Sequence, residues 1–454
     1  MHILFLTPQL PYPPQQGTAV RNYGLMRGLS ERHQISLLSF CETGQKLAPE
    51  TAGPLLAFCR NIETVPAPPP RSPRRRAWDT ITQRLPDMAL RLASPVFAER
   101  LAAWLAHESF DVVHIEGIEM APYLELLRSH RADTKAQVTQ APQSRPAGAP
   151  SQESRPPLII FDDHNCEYLL QKSYARVDAR IPRRWPGALY SLIQWQKLRR
   201  YEARVCRRAD RVLAVSQSDA EALQRLVSGL KVTVIPNGID TDWYLTGEVR
   251  QVQASETDQP PTLVFVGKMD FRPNVDAVRW FTEAIWPRIQ AEVPGVVFLA
   301  VGQRPHPQLD HLRADPSVTL TGWVEDPRPY IARATVYVAP LRMGSGTRLK
   351  LLEAMAMGKA IVSTGIGAEG LTDAGSEYGW ESMPGAESRA QAMHDRELVL
   401  ADDNDPVAFA TAVIALLRDP ARRQRLGVAA RAFVTTHYDW HVIIPRLEAL
   451  YARV

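Results

Sequence analysis

The residues with the clearest chemical content lie between Pro340 and Leu371, in the run P-L-R-M-G-S-G-T-R-L-K-L-L-E-A-M-A-M-G-K-A-I-V-S-T-G-I-G-A-E-G-L. Gly344, Ser345 and Gly346 make a glycine loop that leads into a helical pattern from Thr347 to Met357. A helix start offers unsatisfied N–H groups and a partial positive charge, and glycines let an anion approach the backbone. Arg348 and Lys350 add two full positive charges in that first turn, a poor place for cations unless an anion sits there. Glu353 then interrupts the apolar run Leu351, Leu352, Ala354, Met355, Ala356, where a carboxylate is costly unless it is paired or hydrogen-bonded. At 1.5 Å per residue, Gly346 to Glu353 spans roughly 10 Å. That length suits a diphosphate at the helix start and a ribose whose hydroxyls donate to Glu353. The same residues also fit an ordinary helix with a buried glutamate behind a glycine-rich loop.

Such residues need a frame. The chain has 454 residues, which suggests two or three domains. Its 45% hydrophobic and 22% charged content is ordinary for a globular protein, and a net charge of +4 gives no argument for nucleic acid. No apolar run reaches the roughly 20 residues of a membrane span, and Ile3 to Leu6 is too short for a signal-peptide core. Cys41, Cys59, Cys166 and Cys206 show neither metal-ligand spacing nor a disulfide framework. The expected location is cytoplasmic.

His2 to Thr7 reads as a buried strand, followed by a proline loop closing on Gly17, a helix, and a second strand from Ile35 to Phe40. Ligands of such βαβ sheets bind at the carboxyl ends of strands, so Gly17 to Arg21 is a candidate phosphate or acceptor loop, or a plain crossover turn. The polyproline and arginine run from Val65 to Trp78 is compatible with a solvated loop or with an anionic membrane surface. Asp111 to Ile115 is a strand carrying His114. The Gln/Ser/Pro/Ala-rich tract 134–157 reads as a disordered insertion. Leu158 to Phe161 is a further strand, ending in Asp162-Asp163-His164-Asn165-Cys166-Glu167 at the ligand-facing rim. The two aspartates lack a further ligand for a metal, and His164 alone also fits a rim histidine bonded to a backbone carbonyl. A basic helix is expected over Leu189 to Ala209, and the turn Pro236-Asn237-Gly238-Ile239-Asp240 marks a domain boundary. A second αβ series starts at Thr262, and Ala429 to Val454 closes the chain as an amphipathic segment. The fold class is therefore α/β, with two Rossmann-like halves.

The series I-P-N-G-I-D, F-V-G-K-M-D, G-W-V-E-D and G-S-G-T-R-L-K-L-L-E-A-M-A-M-G resembles glycosyltransferase family 4. The likeness covers nearly the whole chain outside the proline–arginine stretch and the 134–157 tract. The opening P-Y-P-P-Q-Q-G and the segment D-H-N-C-E are similar to sugar transferases associated with bacterial exopolysaccharide and exosortase clusters. The resemblance implies a retaining GT-B enzyme with two Rossmann-like domains facing each other across a cleft. It implies an acceptor domain over 1–240, completed by a helix at 430–454, and a donor domain over 241–429. The expected reaction moves a sugar from a nucleotide-sugar to a hydroxyl of a glycan or lipid-linked acceptor, at the inner face of the membrane if the acceptor is a lipid.

By the same resemblance Glu353 matches the ribose-binding second glutamate of a paired motif, while Ser345 stands where the first glutamate is expected. Lys268 matches the cation expected on the diphosphate. Asn274 replaces a second cation, and Arg348 and Lys350 are expected to restore that charge. His164 matches the histidine near the transferred sugar, Gly17 the loop facing the diphosphate, and Val324 the backbone grip on the base. Gly344, Gly346 and Thr347 complete the expected donor-binding set. Fixed cations on the leaving diphosphate would lower the barrier by preorganisation, so no metal or other cofactor is expected. Two other readings stay open: an idle scaffold of this fold, and an NAD-dependent oxidoreductase suggested by Gly365-Ile366-Gly367-Ala368-Glu369-Gly370.

Overall fold

The structure is a computed structural model that describes residues 1–14, 17–42, 52–140, 156–179, 182–245, 259–343, 348–371 and 393–452. These residues belong to two compact units, Met1–Ile235 with Ile444–Val454, and Pro236–Ile443.

The first unit is built on seven parallel strands: β1 (His2–Thr7), β2 (Gln34–Cys41), β3 (Cys59–Pro66), β4 (Val112–Glu116), β5 (Leu158–Asp163), β6 (Arg211–Ala214) and β7 (Val232–Val234). Their order is β3-β2-β1-β4-β5-β6-β7. β1, β4 and β5 are buried almost end to end, as expected of parallel strands covered by helices on both faces. Each large apolar side chain so buried contributes ~1.5–3 kcal/mol. Helix α1 (Gly17–Ser30) is the next element after β1, so Gly17 to Arg21 is its first turn and not a loop. Helix α2 (Glu167–Ala179) follows β5, and the basic helix α3 runs over Trp185–Arg208, four residues earlier than expected. Strand β3 escapes a sequence reading because only Val65 among its residues is buried, which leaves no apolar pattern to read.

The arginine run forms a helix, Pro73–Thr82, capped by Ser72. Its cations are largely paired inside the unit: Arg71 with Asp79 (2.9 Å) and Asp87 (2.8 Å), Arg75 with Asp79 (3.0 Å) and Arg76 with Asp87 (2.9 Å). Of the 134–157 tract, residues 141–155 lie outside the described residues, while its first part continues the helix Leu124–Gln140.

The second unit carries six parallel strands: β8 (Thr262–Val266), β9 (Val297–Val301), β10 (Val318–Leu320), β11 (Val336–Ala339), β12 (Ile361–Thr364) and β13 (Val399–Ala401). The order is β10-β9-β8-β11-β12-β13. One face of the sheet is filled by aromatics, with Phe281 and Phe298 at 4.6 Å and Trp286 and Phe298 at 5.9 Å between ring centroids. Helix α4 (Arg272–Trp280) follows β8, and α5 (Leu349–Ala356) follows β11. α5 is pinned to the other face because Leu351, Leu352, Ala354, Met355 and Ala356 are each 0% exposed. α5 begins two residues later than the expected Thr347, which lies outside the described residues, and Arg348 occupies its N-cap. Helix α6 (Pro406–Arg418) is capped by Asp405, whose carboxylate accepts from the N–H groups of Val407 (2.8 Å) and Ala408 (3.0 Å).

The closing segment is two helices, α7 (Pro420–His437) and α8 (Trp440–Tyr451), not one. Tyr438, at the break, donates its hydroxyl to Gly370 O (3.0 Å) and Leu371 O (2.7 Å), which anchors α7 in the second unit. The chain accordingly rejoins the first unit at Ile444, where residue 430 was expected, and the earlier seam falls at Ile235 and not after Asp240.

Candidate functional site

In an open parallel sheet the ligand crevice lies at the carboxyl ends of the strands where strand order reverses. That point falls between β1 and β4 in the first unit and between β8 and β11 in the second. Lys268, Asn274, Lys350 and Glu353 lie on or beside elements that leave the second of these points, and His164 follows β5, next to the first.

In the second unit β8 ends in Gly267-Lys268. The Lys268 side chain is 39% exposed, with its Nζ 3.6 Å from Asp270. Asn274, on α4, donates from Nδ2 to Lys268 O (2.9 Å). Lys350, from the first turn of α5, donates from Nζ to Asn274 Oδ1 (2.7 Å) and lies 4.3 Å from the centre of the Phe265 ring. Asn274 thus receives the very cation that the sequence assigned to its replacement. The approach is close: a Cβ at Gly267 would stand 2.7 Å from Asn274 Nδ2 and 2.9 Å from Lys350 Nζ and would push these two side-chain ends aside. Burial, then the charge of Arg348, pull the Lys350 ammonium down to about 7, against the raising influence of Glu353.

Further along α5, Glu353 accepts from the Tyr244 hydroxyl (3.2 Å). Burial pushes its carboxyl up to about 7, opposed by that hydrogen bond and by Lys350. Five residues of helix separate Arg348 from Glu353, about 7.5 Å. Beside Tyr244 the Arg328 guanidinium lies 3.7 Å over the Trp243 ring. Val324 sits on the loop after β10, half-buried against the core under α5, next to Trp323, which is 61% exposed. Gly344, Ser345, Gly346 and Thr347 lie outside the described residues. Gly365–Ala368 makes a single helical turn after β12, whereas a dinucleotide fingerprint opens a long helix.

In the first unit, strand alternation puts His114 and Glu116 on one face of β4, with Glu116 opposite Asp162 of β5. His164 lies just past β5, and its Nε2 is 2.7 Å from Glu116 Oε2. Its partner is therefore a carboxylate and not a backbone carbonyl. The other carboxylate oxygen is 3.4 Å from His114 Nδ1, and His114 Nε2 is 2.6 Å from the Tyr451 hydroxyl of α8. Burial alone would raise Glu116, but hydrogen bonds from the two imidazoles and their charge bring it down to about 2. Arg21, 1% exposed, donates to Asp162 through Nε (3.0 Å) and Nη2 (3.1 Å) and to Ile235 O through Nη1 (2.9 Å). Gly17 starts the same helix, at the carboxyl edge of β1. Behind His164, the Glu202 carboxylate caps α2 by accepting from the N–H groups of Glu167 (3.0 Å) and Tyr168 (3.2 Å).

The sequence reading that Asp162 lacks companion ligands is corrected: one ligand atom each from His114, Glu116 and Asp162 lie within 4.8 Å of one another. The neighbours come from β4, adjacent in the sheet but about 46 residues away in sequence. Arg21, however, already places a guanidinium on both Asp162 oxygens, where an added cation would meet like charge. The sequence reading passed over Glu116, Tyr244 and Tyr451, and took Arg21 only as the end of a candidate loop. The H-I-E alternation of β4 would have exposed Glu116, whereas Tyr244 and Tyr451 reach their partners only through tertiary folding.

Comparison with known proteins agrees with this layout. Residues 16–243 match the model of Glycosyltransferase Family 4 and residues 260–419 that of Glycosyl transferases group 1. Alpha-maltose-1-phosphate synthase of Mycobacterium tuberculosis is 29% identical over 272 residues, 54% of this chain and 64% of that protein. Phosphatidyl-myo-inositol mannosyltransferase of Mycolicibacterium smegmatis is 29% identical over 231 residues, 50% of this chain and 53% of that protein. The chain thus spans less than two thirds of these relatives' own lengths. Among solved structures, sucrose-phosphate synthase from Thermosynechococcus elongatus has a TM-score of 0.67 at 18% identity, covering 100% of this chain and 99% of its own. HepE of Anabaena, in complex with UDP and glucose, has a TM-score of 0.59 at 15% identity, covering 100% of both chains. At such identities the likeness is one of fold, and that fold is GT-B. With half its length matched by one family model and much of the remainder by a second, the chain belongs to the group 1, family 4 glycosyltransferases.

Proposed function

We propose that the protein is a retaining glycosyltransferase that moves a sugar from a nucleotide-sugar to a hydroxyl of a glycan or lipid-linked acceptor. The observation that carries this reading is the Lys268–Asn274–Lys350 cluster at the end of β8, with the Glu353–Tyr244 pair further along α5. A diphosphate beside Lys350 would favour its charged form, and ribose hydroxyls donating to Glu353 would favour the carboxylate. Both groups are set near 7 by burial, so each would gain from the ligand. As the bond from the anomeric carbon to phosphate breaks, negative charge grows on the diphosphate, and Lys268, Arg348 and Lys350 stabilise it. In the retaining course the acceptor hydroxyl enters on the same face, and its proton passes to the departing phosphate. His164 supplies the first unit's contribution, a hydrogen bond to the sugar being moved. With protein cations on the diphosphate, no divalent metal is needed.

Relatives support the donor class: HepE was solved with UDP-glucose, and of two relatives one is named as a synthase of alpha-maltose-1-phosphate and the other as a mannosyltransferase. The opening P-Y-P-P-Q-Q-G and the D-H-N-C-E segment support a role in bacterial exopolysaccharide or glycoconjugate synthesis. Among the described residues no helix is long and apolar enough to cross a membrane. A lipid-linked acceptor would accordingly be met from the membrane surface, at its cytoplasmic face.

The test is a thermal-shift screen against UDP-, GDP- and ADP-sugars, since a ligand bound to the native state raises apparent stability. One donor class should raise Tm in the wild type and not in Lys350→Met. No shift with any of them would end the proposal. Ser345 favours a second reading, a catalytically idle scaffold. Equal, absent donor turnover by wild type and Glu353→Ala would support it.

A further inference from the structure

Three buried side chains behind His164 have no part in the reading above: Glu116, His114 and Tyr451, all under 4% exposed. They form a line with His164. Tyr451 Oη is 2.6 Å from His114 Nε2, His114 Nδ1 is 3.4 Å from Glu116 Oε1, and Glu116 Oε2 is 2.7 Å from His164 Nε2. His114 is held flat against Phe5, with centroids 4.7 Å apart and planes at 12°, and edge-on to Tyr451 at 5.6 Å. Its ring therefore has little freedom to turn.

The chemistry of the members fixes the proton on His164. An ionised carboxylate only accepts, so the His164 Nε2 that bonds Glu116 at 2.7 Å must carry hydrogen. His114 Nδ1 faces the other carboxylate oxygen at 3.4 Å, and its Nε2 meets the Tyr451 hydroxyl, with its proton, at 2.6 Å. Burial raises the Tyr451 phenol well above its usual range, so it keeps that proton. At the other end His164 carries hydrogen on Nε2 and presents Nδ1 away from the carboxylate. That edge is kept clear by Gly117, at φ +81°, whose added Cβ would come within 3.6 Å of His164 Nδ1.

We propose that Glu116 is the positioning residue of His164, and that His114 and Tyr451 hold Glu116 in the orientation that leaves His164 Nδ1 as the working nitrogen. This rests on the reading of His164 as the first unit's reacting group. A carboxylate behind an imidazole selects one tautomer and one ring orientation, and loses that power when it becomes an amide. Glutamine at 116 keeps the shape but can turn its NH2 toward Nε2, which forces the opposite tautomer on His164.

The tautomer is read directly, without turnover. The full-length protein labelled with 15N-histidine is examined by long-range 1H–15N correlation, with His164 assigned by its disappearance in His164→Gln. The wild type should give the Nε2–H form. Glu116→Gln should move His164 toward Nδ1–H, and Glu116→Asp should restore Nε2–H in part. The donor chosen by the thermal-shift screen then provides turnover. Glu116→Gln should lower kcat by roughly 10²–10³-fold with donor KM little changed, and Tyr451→Phe should lower it by roughly 2- to 5-fold. An unchanged His164 tautomer in a folded Glu116→Gln protein, judged by circular dichroism, overturns the proposal. So does a stoichiometric bound metal whose chelation alters the wild-type His164 signal. Full turnover by His164→Gln would instead sink the role given to His164, while the tautomer still decides what Glu116 does.

Discussion

The switch points of the two sheets handle charge in opposite ways. In the first unit the ionic groups satisfy one another: Arg21 with Asp162 at 2.8 Å, Glu116 with His164 at 2.7 Å. In the second unit Lys350 and Glu353, one turn apart on α5, are each drawn by burial toward neutrality near pH 7. At the first edge these two pairs are closed among the unit's own residues. The other holds a cation and a carboxylate that burial draws toward neutrality against the support they give each other and the Tyr244 hydroxyl gives Glu353. The difference separates orientation, which a protein can build in advance, from recognition, which needs the ligand's own charge.

The contrast can be broken most sharply at the cations. Replacing Arg348 and Lys350 together by methionine should reduce sugar transfer by roughly 10²–10³-fold, the scale of removing preorganised charge stabilisation. It should leave Tm equal to or above that of wild type, because one of the two is a buried cation. Unchanged turnover would show that the second unit's charges are not there for the diphosphate. Arg21→Met is the converse experiment. It leaves Asp162 buried and unpaired, for which ~3–5 kcal/mol of lost stability is expected, seen as a lowered urea midpoint. A midpoint within error of wild type would remove the claim that the first unit's network is self-supporting.

Smaller effects sharpen the picture. Tyr244→Phe deletes the one neutral hydrogen bond to Glu353 and should raise donor KM about fivefold, near 1 kcal/mol. Glu353→Gln should stabilise the free protein. Burial pushes the Glu353 carboxyl up to about 7 from its ordinary 4.5, so its cost is absent below 4.5 and grows until about 7. The gain in Tm from Glu353→Gln should therefore be nil at pH 4 and ~2–4 °C above pH 7.5, for about 1 kcal/mol. A gain independent of pH would point to packing in place of charge. Finally, a chelator should leave turnover unchanged, and a loss restored by added divalent metal would end the metal-free mechanism.

Much of the architecture could be read from the residues alone, because buried parallel strands such as His2–Thr7 and Leu158–Asp163 are nearly pure apolar runs between turn signals. Helix α5 announced itself through its buried stripe and its misplaced cations. What could not be read depended on neighbours distant in sequence. β3 is an edge strand with little apolar content, and the single closing helix became two because Tyr438 is held by backbone carbonyls 67 and 68 residues upstream. The meeting of Lys350 with Asn274 was foreseen in charge but not in contact, since the first turns of two helices 76 residues apart share no local signal. Glu116 was passed over because a carboxylate at the end of an apolar strand looks like a solvent-facing terminus until β5 and α8 close over it.

The first unit is discontinuous: its sheet is finished by Val234, yet α8 arrives only after the second unit, bringing Tyr451 to His114 and Glu448 to Arg32 and His33. During synthesis the opening half must therefore wait for some 200 further residues, roughly 10–40 s at ribosomal speed, with the α1 and β4 surfaces that α8 covers still wet. For that interval the line from His164 through Glu116 to His114 lacks its far member, and Tyr451 joins it only once α8 has been made.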